Sequence, residues 1–171
     1  MKNYRPLSVA NSDYNLFTRN INHRIIEAPS HLISRYQLEF APGRFIAKNS
    51  MIYQLIMEDA QREWTIAKQQ NDNLTFRSLD VDIGLLLDQE KAYDRVNLDY
   101  LKMVLLKSSF ARPLIKCVYK LMGDNLIHIN VNGHLSNEVV KLRGLNQGDP
   151  LSPILYNLAF EPFLLAILHD R

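Results

Sequence analysis

From Leu151 onward the chain carries a helix-length segment that is apolar almost all round, with Leu151, Ile154, Leu155, Leu158, Phe160, Phe163, Leu164, Leu165 and Ile167. A helix without a polar face belongs either in the middle of a protein or in a bilayer. Asn157, Glu161 and Pro162 interrupt the run, leaving no clean apolar stretch near the ~20 residues that a span needs. The segment is therefore expected to be a buried core helix, without membrane association. The rest of the chain must then supply the layers that cover it. Gly148-Asp149-Pro150 stands in front, with Asp149 expected as N-cap and Pro150 as the first helical residue.

Hydrophobic spacing supplies the other elements. Residues 14–26 read as a helix with Tyr14, Phe17, Ile21 and Ile25 on one stripe, closed by Pro29. Phe40-Ala41-Pro42-Gly43-Arg44 reads as a turn. A second helix is expected from Ser50 to Lys68, with Ile52, Leu55, Ile56, Ala60, Trp64 and Ala67 on its apolar face and Asn71-Asp72-Asn73 breaking it. Ile83 to Leu87 is a short apolar run ending at Asp88, expected as a buried strand. Asn97 caps a helix over 98–108, and Pro113 opens another over 113–122. Leu126 to Val131, Asn132-Gly133 and a return strand over 137–142 form a hairpin, with Ile127, Ile129 and Val131 on one face. A helical first part followed by the order β-α-α-β-β-α predicts an α+β fold with a largely antiparallel sheet.

Composition narrows the function classes. Of the 171 residues, 47% are apolar and 22% charged, a globular balance that argues against disorder. A single cysteine, Cys117, excludes an internal disulfide and a Cys-rich zinc site. The first fifteen residues hold no signal-peptide core, so an intracellular setting, nuclear or cytoplasmic, is expected. Net charge is only +2. Residues 1–48, however, hold seven basic side chains against three acidic ones, which describes either a solvated helix face or a phosphate-facing surface whose binding would weaken with salt.

Asp88 is the sharpest single feature. A carboxylate at the end of a buried strand sits where sheets place ligands, and Mg²⁺ is held by one or two carboxylates plus substrate phosphates. The plain alternative is a turn or cap residue. Tyr93 reads as core, Arg5 as solvated surface, and Gln147-Gly148-Asp149-Pro150 as a turn and cap. Asp94 reads as structural, paired with Arg95 or a helix end, and Lys91 as surface. His23, His31, His128, His134 and His169 show no ligand spacing.

Leu86-Leu87-Asp88-Gln89-Glu90-Lys91-Ala92-Tyr93-Asp94-Arg95-Val96 resembles the first catalytic motif of reverse transcriptases from non-LTR (LINE-type) retrotransposons. Asn3-Tyr4-Arg5-Pro6-Leu7-Ser8 and Phe40-Ala41-Pro42-Gly43-Arg44 resemble two fingers motifs of that family, in order. Val131-Asn132-Gly133 resembles its hairpin, and Arg143-Gly144-Leu145-Asn146-Gln147-Gly148-Asp149-Pro150-Leu151-Ser152-Pro153 its B motif, with Glu161-Pro162 at the expected distance. The resemblance implies an RNA-directed DNA polymerase with a right-hand fold: 1–75 a fingers-like, mostly helical segment and 76–171 a partial palm. It implies Asp88 as catalytic metal-binding carboxylate and Tyr93 as the ring under the sugar that disfavours a 2′-hydroxyl. Gln147 and Gly148 would line the nucleotide site, and Arg5 would contact the triphosphate. It implies two Mg²⁺ ions, an RNA template, a DNA primer and deoxynucleoside triphosphates.

Some positions depart from the pattern. Tyr93 stands where the family more often has Phe, Glu39 where it usually has Gly, Lys48 where it often has Asp, and Asn146 where it often has Arg. An aromatic-x-Asp-Asp hairpin bearing further carboxylates is expected after the last helix and does not occur within the 171 residues. Nor do the fingers lysine expected further upstream of Asn3-Tyr4-Arg5 and the thumb. The expectation is thus a fingers and palm fragment that does not polymerise alone. A non-catalytic nucleic-acid-binding remnant and a non-functional element copy stand beside it as alternatives.

Overall fold

In the computed structural model, which describes residues 7–27, 29–70, 84–123 and 125–170, only the first half of the apolar C-terminal run lies in the core of the larger of two compact units; Phe163, Leu165 and Ile167, expected to be buried with it, are exposed. This unit comprises Met1–Pro42 and Glu90–Arg171, the other Gly43–Gln89. In chain order the helices are α1 (Ser12–Ile25), α2 (Pro29–Leu32), α3 (Ala47–Gln70), α4 (Leu98–Lys107), α5 (Arg112–Met122) and α6 (Ser152–His169). A 3-10 turn covers Tyr93–Arg95, and four two-residue strands lie between α5 and α6. The mixture of helices and small antiparallel ladders is α+β.

The first half of α6 fills the centre of the larger unit. Leu151, Ile154, Leu155 and Leu158 are buried, against Leu98, Leu101 and Leu105 of α4, Ile115, Val118 and Met122 of α5, and Ile21 and Ile25 of α1. The helix begins at Ser152, two residues later than expected, because Asp149 caps the preceding turn: its Oδ1 accepts from the backbone N–H of Leu151 at 2.8 Å. Asn97 caps α4 as its sequence signals, its Oδ1 accepting from Tyr100 N at 3.0 Å. On α1 the buried stripe is Thr18, Ile21 and Ile25, with Tyr14 half-buried at its start. Phe17, expected on that stripe, is half exposed, because the 3.6-residue period running back from Ile25 and Ile21 lands on Thr18. Pro29, expected only to end α1, also starts the short α2, where its missing N–H costs nothing.

The polar residues inside α6 hold a loop. Glu161 is buried, and its carboxylate accepts from Ser34 N at 2.9 Å and from Gln37 Nε2 at 2.5 Å. The Asn157 side-chain amide donates to Glu39 O at 2.7 Å, and its backbone carbonyl accepts from Gln37 Nε2 at 3.1 Å. Both side chains face protein partners at core depth, so their burial is compensated. Pro162 lies within the helix, which continues to His169.

The hairpin forms with its turn where expected. Asn132 and Gly133 both have positive φ, the geometry of a two-residue type I′ turn. The strands differ from expectation. β2 (Asn130–Val131) pairs with β3 (His134–Leu135), and β1 (Leu126–Ile127) with β4 (Val139–Val140). Ser136 divides the ladder: its Oγ accepts from Ile129 N and its own N–H donates to Ile129 O, both at 2.9 Å. The return strand therefore starts at 134 rather than 137. Both faces of this ribbon are exposed.

In the Gly43–Gln89 unit, α3 extends over the predicted span and three residues beyond its start, and none of its residues is buried. Its apolar positions, including Ile52, Leu55 and Ile56, stay exposed. The strand expected over 83–87 is not formed: 84–89 carry no regular structure, and Leu85, Leu86 and Leu87 are exposed. Residue 83 lies outside the described residues. An apolar run becomes a strand only with a neighbour for its backbone groups, and the described ladders do not include 84–89.

Candidate active site

Three segments far apart in sequence meet in the larger unit. The 3-10 turn at Tyr93–Arg95 and its exit lie against the segment from Gly144, with Gly144 N donating to Val96 O and Leu145 N to Tyr93 O, each at 2.9 Å. Residue 8 lies against the same segment further on, Ser8 N donating to Gln147 O at 2.9 Å. Two glycines permit these approaches. Gly144 has φ +89°, and a Cβ there would stand 2.9 Å from the Asp94 Cα. Gly148 has φ +96°, and a Cβ there would stand 3.2 Å from Leu7 Cδ1. Only glycine meets both demands readily.

Gln147 Nε2 donates to Asp94 Oδ1 at 3.3 Å, joining the two motifs by their side chains. The sequence places Asp94 against Arg95 or a helix end; Arg95 instead pairs with Glu90 at 3.3 Å. That exposed pair contributes little to stability. The half-buried Tyr93 ring packs on Tyr156 with centroids 5.1 Å apart, and Tyr156, Phe160 and Phe163 continue the aromatic row along α6. Burial pushes the Tyr93 hydroxyl above its ordinary pKa, with Glu39 and Tyr156 adding to it. Tyr156 is raised by burial and then by Glu39.

Behind the Gln147–Gly148 turn is a polar cluster that the motifs alone do not disclose. Lys141 Nζ donates to Asn146 Oδ1 at 2.6 Å and to Met122 O at 3.1 Å. Asn146 Nδ2 donates to Tyr14 OH at 3.0 Å, and that hydroxyl donates to Leu121 O at 3.1 Å. Burial lowers the Lys141 pKa, opposed by Asp149 and Asp94. Burial also raises Tyr14, followed by the Asp149 carboxylate. Asn146, one of the positions noted above as departing from the resembled motif, is the sequence signal that points here.

These tyrosines predict a titration result. Each has a folded pKa above the ordinary value near 10, so their contribution to stability is full below pH 10 and is lost as pH rises past it. In an absorbance titration at about 295 nm, where tyrosinate absorbs, Tyr14, Tyr93 and Tyr156 should ionise later than an ordinary tyrosine. Tyr14→Phe should remove one of the late-titrating groups, and an unchanged late phase in that variant contradicts the assignment.

The structure thus brings Tyr93, Gln147 and Gly148 together. Asp88 belongs to the Gly43–Gln89 unit, where it is exposed at the end of 84–89. Arg5 lies outside the described residues. Among the described residues no three His, Cys, Asp or Glu side chains gather as a metal cluster. A single exposed carboxylate such as Asp88 can offer a divalent ion one ligand at most, the rest coming from phosphates and water. A two-ion site needs further carboxylates beside it.

The family model described as reverse transcriptase (RNA-dependent DNA polymerase) matches residues 1–170. The chain belongs to the reverse transcriptases. It is 32% identical over 164 residues to a Xenopus laevis protein named Transposon TX1 uncharacterized 149 kDa protein, covering 96% of this chain and 11% of that one. It is 28% identical over 165 residues to the retrovirus-related Pol polyprotein from type-1 retrotransposable element R2 of Nasonia vitripennis, covering 94% of this chain and 14% of the relative. The corresponding type-2 element R2DM polyprotein of Drosophila melanogaster is 26% identical over 165 residues, covering 95% of this chain and 14% of that one. This reverse transcriptase chain therefore spans between a ninth and a seventh of the length of these curated relatives. Reverse transcriptases as a family use divalent metal ions, nucleic-acid templates and nucleotide substrates.

Proposed function

We propose that this chain is the nucleotide-site portion of an RNA-directed DNA polymerase from a non-LTR retrotransposon, combining fingers (1–75) with part of the palm (76–171). The observation that carries the reading is the junction of residue 8, the Tyr93–Val96 turn and the Gly144–Gly148 segment, which places an aromatic ring, an amide and a side-chain-free backbone on one unit. Tyr93, backed by Tyr156, presents a rigid ring to the sugar of an incoming deoxynucleoside triphosphate. Gln147, oriented by Asp94, presents its amide, and Gly148 lets the nucleotide approach the backbone. Arg5 is assigned to the triphosphate, for which a guanidinium is suited. Asp88 is assigned as one metal ligand. Bound Mg²⁺ supplies charge stabilisation at the attacking and leaving oxygens. An RNA template, a DNA primer and an intracellular setting belong to the same proposal.

The test is sugar selectivity. In primer extension by the protein that carries these residues, Tyr93→Val should lower the preference for deoxyribo- over ribonucleotides at least tenfold, because the ring that meets a 2′-hydroxyl is gone. Deoxynucleotide incorporation should stay within a few-fold. A folded Tyr93→Val protein with unchanged preference removes Tyr93 from the site.

A further inference from the structure

We propose that Lys141 is a positioning residue for the Gln147–Gly148 turn, holding it against the end of α5 through Asn146. The inference rests on the nucleotide reading of that turn. A lysine ammonium is a donor only, so Asn146 must present Oδ1 to it, and the amide Nδ2 then faces the Tyr14 hydroxyl. Tyr14 passes the connection to Leu121 O, and Lys141 itself bonds Met122 O. Both carbonyls lie in the last turn of α5, where helix carbonyls lack intrahelical partners. The residue directly before Gln147 is therefore tied to one helix end at two points. Gln147 is tied on its other side to Asp94, and Ser8 donates to its carbonyl. The turn is clamped from three directions, and Lys141 supplies the clamp's charged donor.

Lys141 is half-buried, so its ammonium loses part of its hydration, a cost that its hydrogen bonds to Asn146 and Met122 O offset. Its specific contribution is the fixed orientation of Asn146, which sets where Gln147 and Gly148 stand.

Hydrogen exchange across the whole 171-residue chain tests this, comparing the wild type with Lys141→Met, Lys141→Arg and Tyr14→Phe. In Lys141→Met the amides of residues 146–149 should exchange at least tenfold faster, with protection in α4 and α6 within twofold of wild type. Lys141→Arg, which keeps charge and donors, should recover most of the protection. Tyr14→Phe, which deletes one hydroxyl, should give a smaller effect at the same place and serves if Lys141→Met does not fold. Unchanged exchange at 146–149 in the folded variants overturns the proposal. So does a loss spread evenly over α1, α4, α5 and α6, which marks an ordinary stability role. Binding of dATP with Mg²⁺ to the same proteins adds a second readout, expected to weaken at least fivefold in Lys141→Met. Equal binding in that variant overturns the positioning role. Wild-type protein that binds no dATP, with exchange at 146–149 still faster in Lys141→Met, counts against the nucleotide reading and leaves the clamp supported.

Discussion

Gly144→Ala should lower folding stability by roughly 2–6 kcal/mol, out of about 5–15 kcal/mol for a typical domain. Two costs add. An alanine at φ +89° is held in a region that L residues disfavour, about 1–3 kcal/mol. Its Cβ would also stand 2.9 Å from Asp94 Cα and 3.0 Å from Asp94 O, which are backbone atoms that yield only if the whole 93–96 turn moves. Overpacking of that kind costs about another 1–3 kcal/mol. Gly133→Ala separates the two costs. Gly133 has φ +87°, but a Cβ there would meet nothing within 4 Å, so that variant carries the conformational cost alone, about 1–3 kcal/mol. Urea denaturation of both proteins measures the difference through the midpoint at constant slope. Equal losses contradict the close approach of the two motifs.

What could be read in the sequence was local. Asn97 before Leu98 and Asn132-Gly133 between apolar runs each announce a backbone hydrogen-bonding device, and both are found in place. Asp149, expected as the N-cap of the last helix, instead closes the turn in front of it. What could not be read needed a partner from elsewhere in the chain. The run ending at Leu87 has strand composition, but a strand exists only as half of a ladder, and 84–89 remain without regular structure. Phe17 and Thr18 compete for one stripe, and the larger apolar residue lost because the helix turns by a fixed angle per residue. Glu161 and Asn157 looked like interruptions of α6; they are the anchors of 34–39, visible only once that loop is folded over the helix.

The candidate site divided in the same way. Motif spacing singled out Tyr93, Gln147 and Gly148, and the folded chain joins them through Leu145 and Asp94. Lys141 carries no signal in its own neighbourhood. Its role depends on α5 ending at Met122, nineteen residues earlier, beside Asn146. Tyr14 likewise looked like one apolar position of α1, while its hydroxyl closes the network behind the turn.

Asp88→Ala should have the largest effect on activity. If Asp88 is a ligand of a catalytic ion, its loss removes several kcal/mol of transition-state charge stabilisation. At about 1.36 kcal/mol per factor of ten, roughly 4 kcal/mol corresponds to about a thousandfold. Its stability cost should be small, since the side chain is exposed. Asp99, an exposed carboxylate on α4 that accepts from Tyr119 OH at 3.2 Å, provides the comparison. The decisive measurement is primer extension on an RNA template by a longer protein in which these residues are followed by the aromatic-x-Asp-Asp segment, with wild type, Asp88→Ala and Asp99→Asn side by side. The account predicts Mg²⁺-dependent deoxynucleotide incorporation in wild type and Asp99→Asn, and a fall of about a thousandfold in Asp88→Ala. Incorporation by Asp88→Ala within a few-fold of wild type would contradict it.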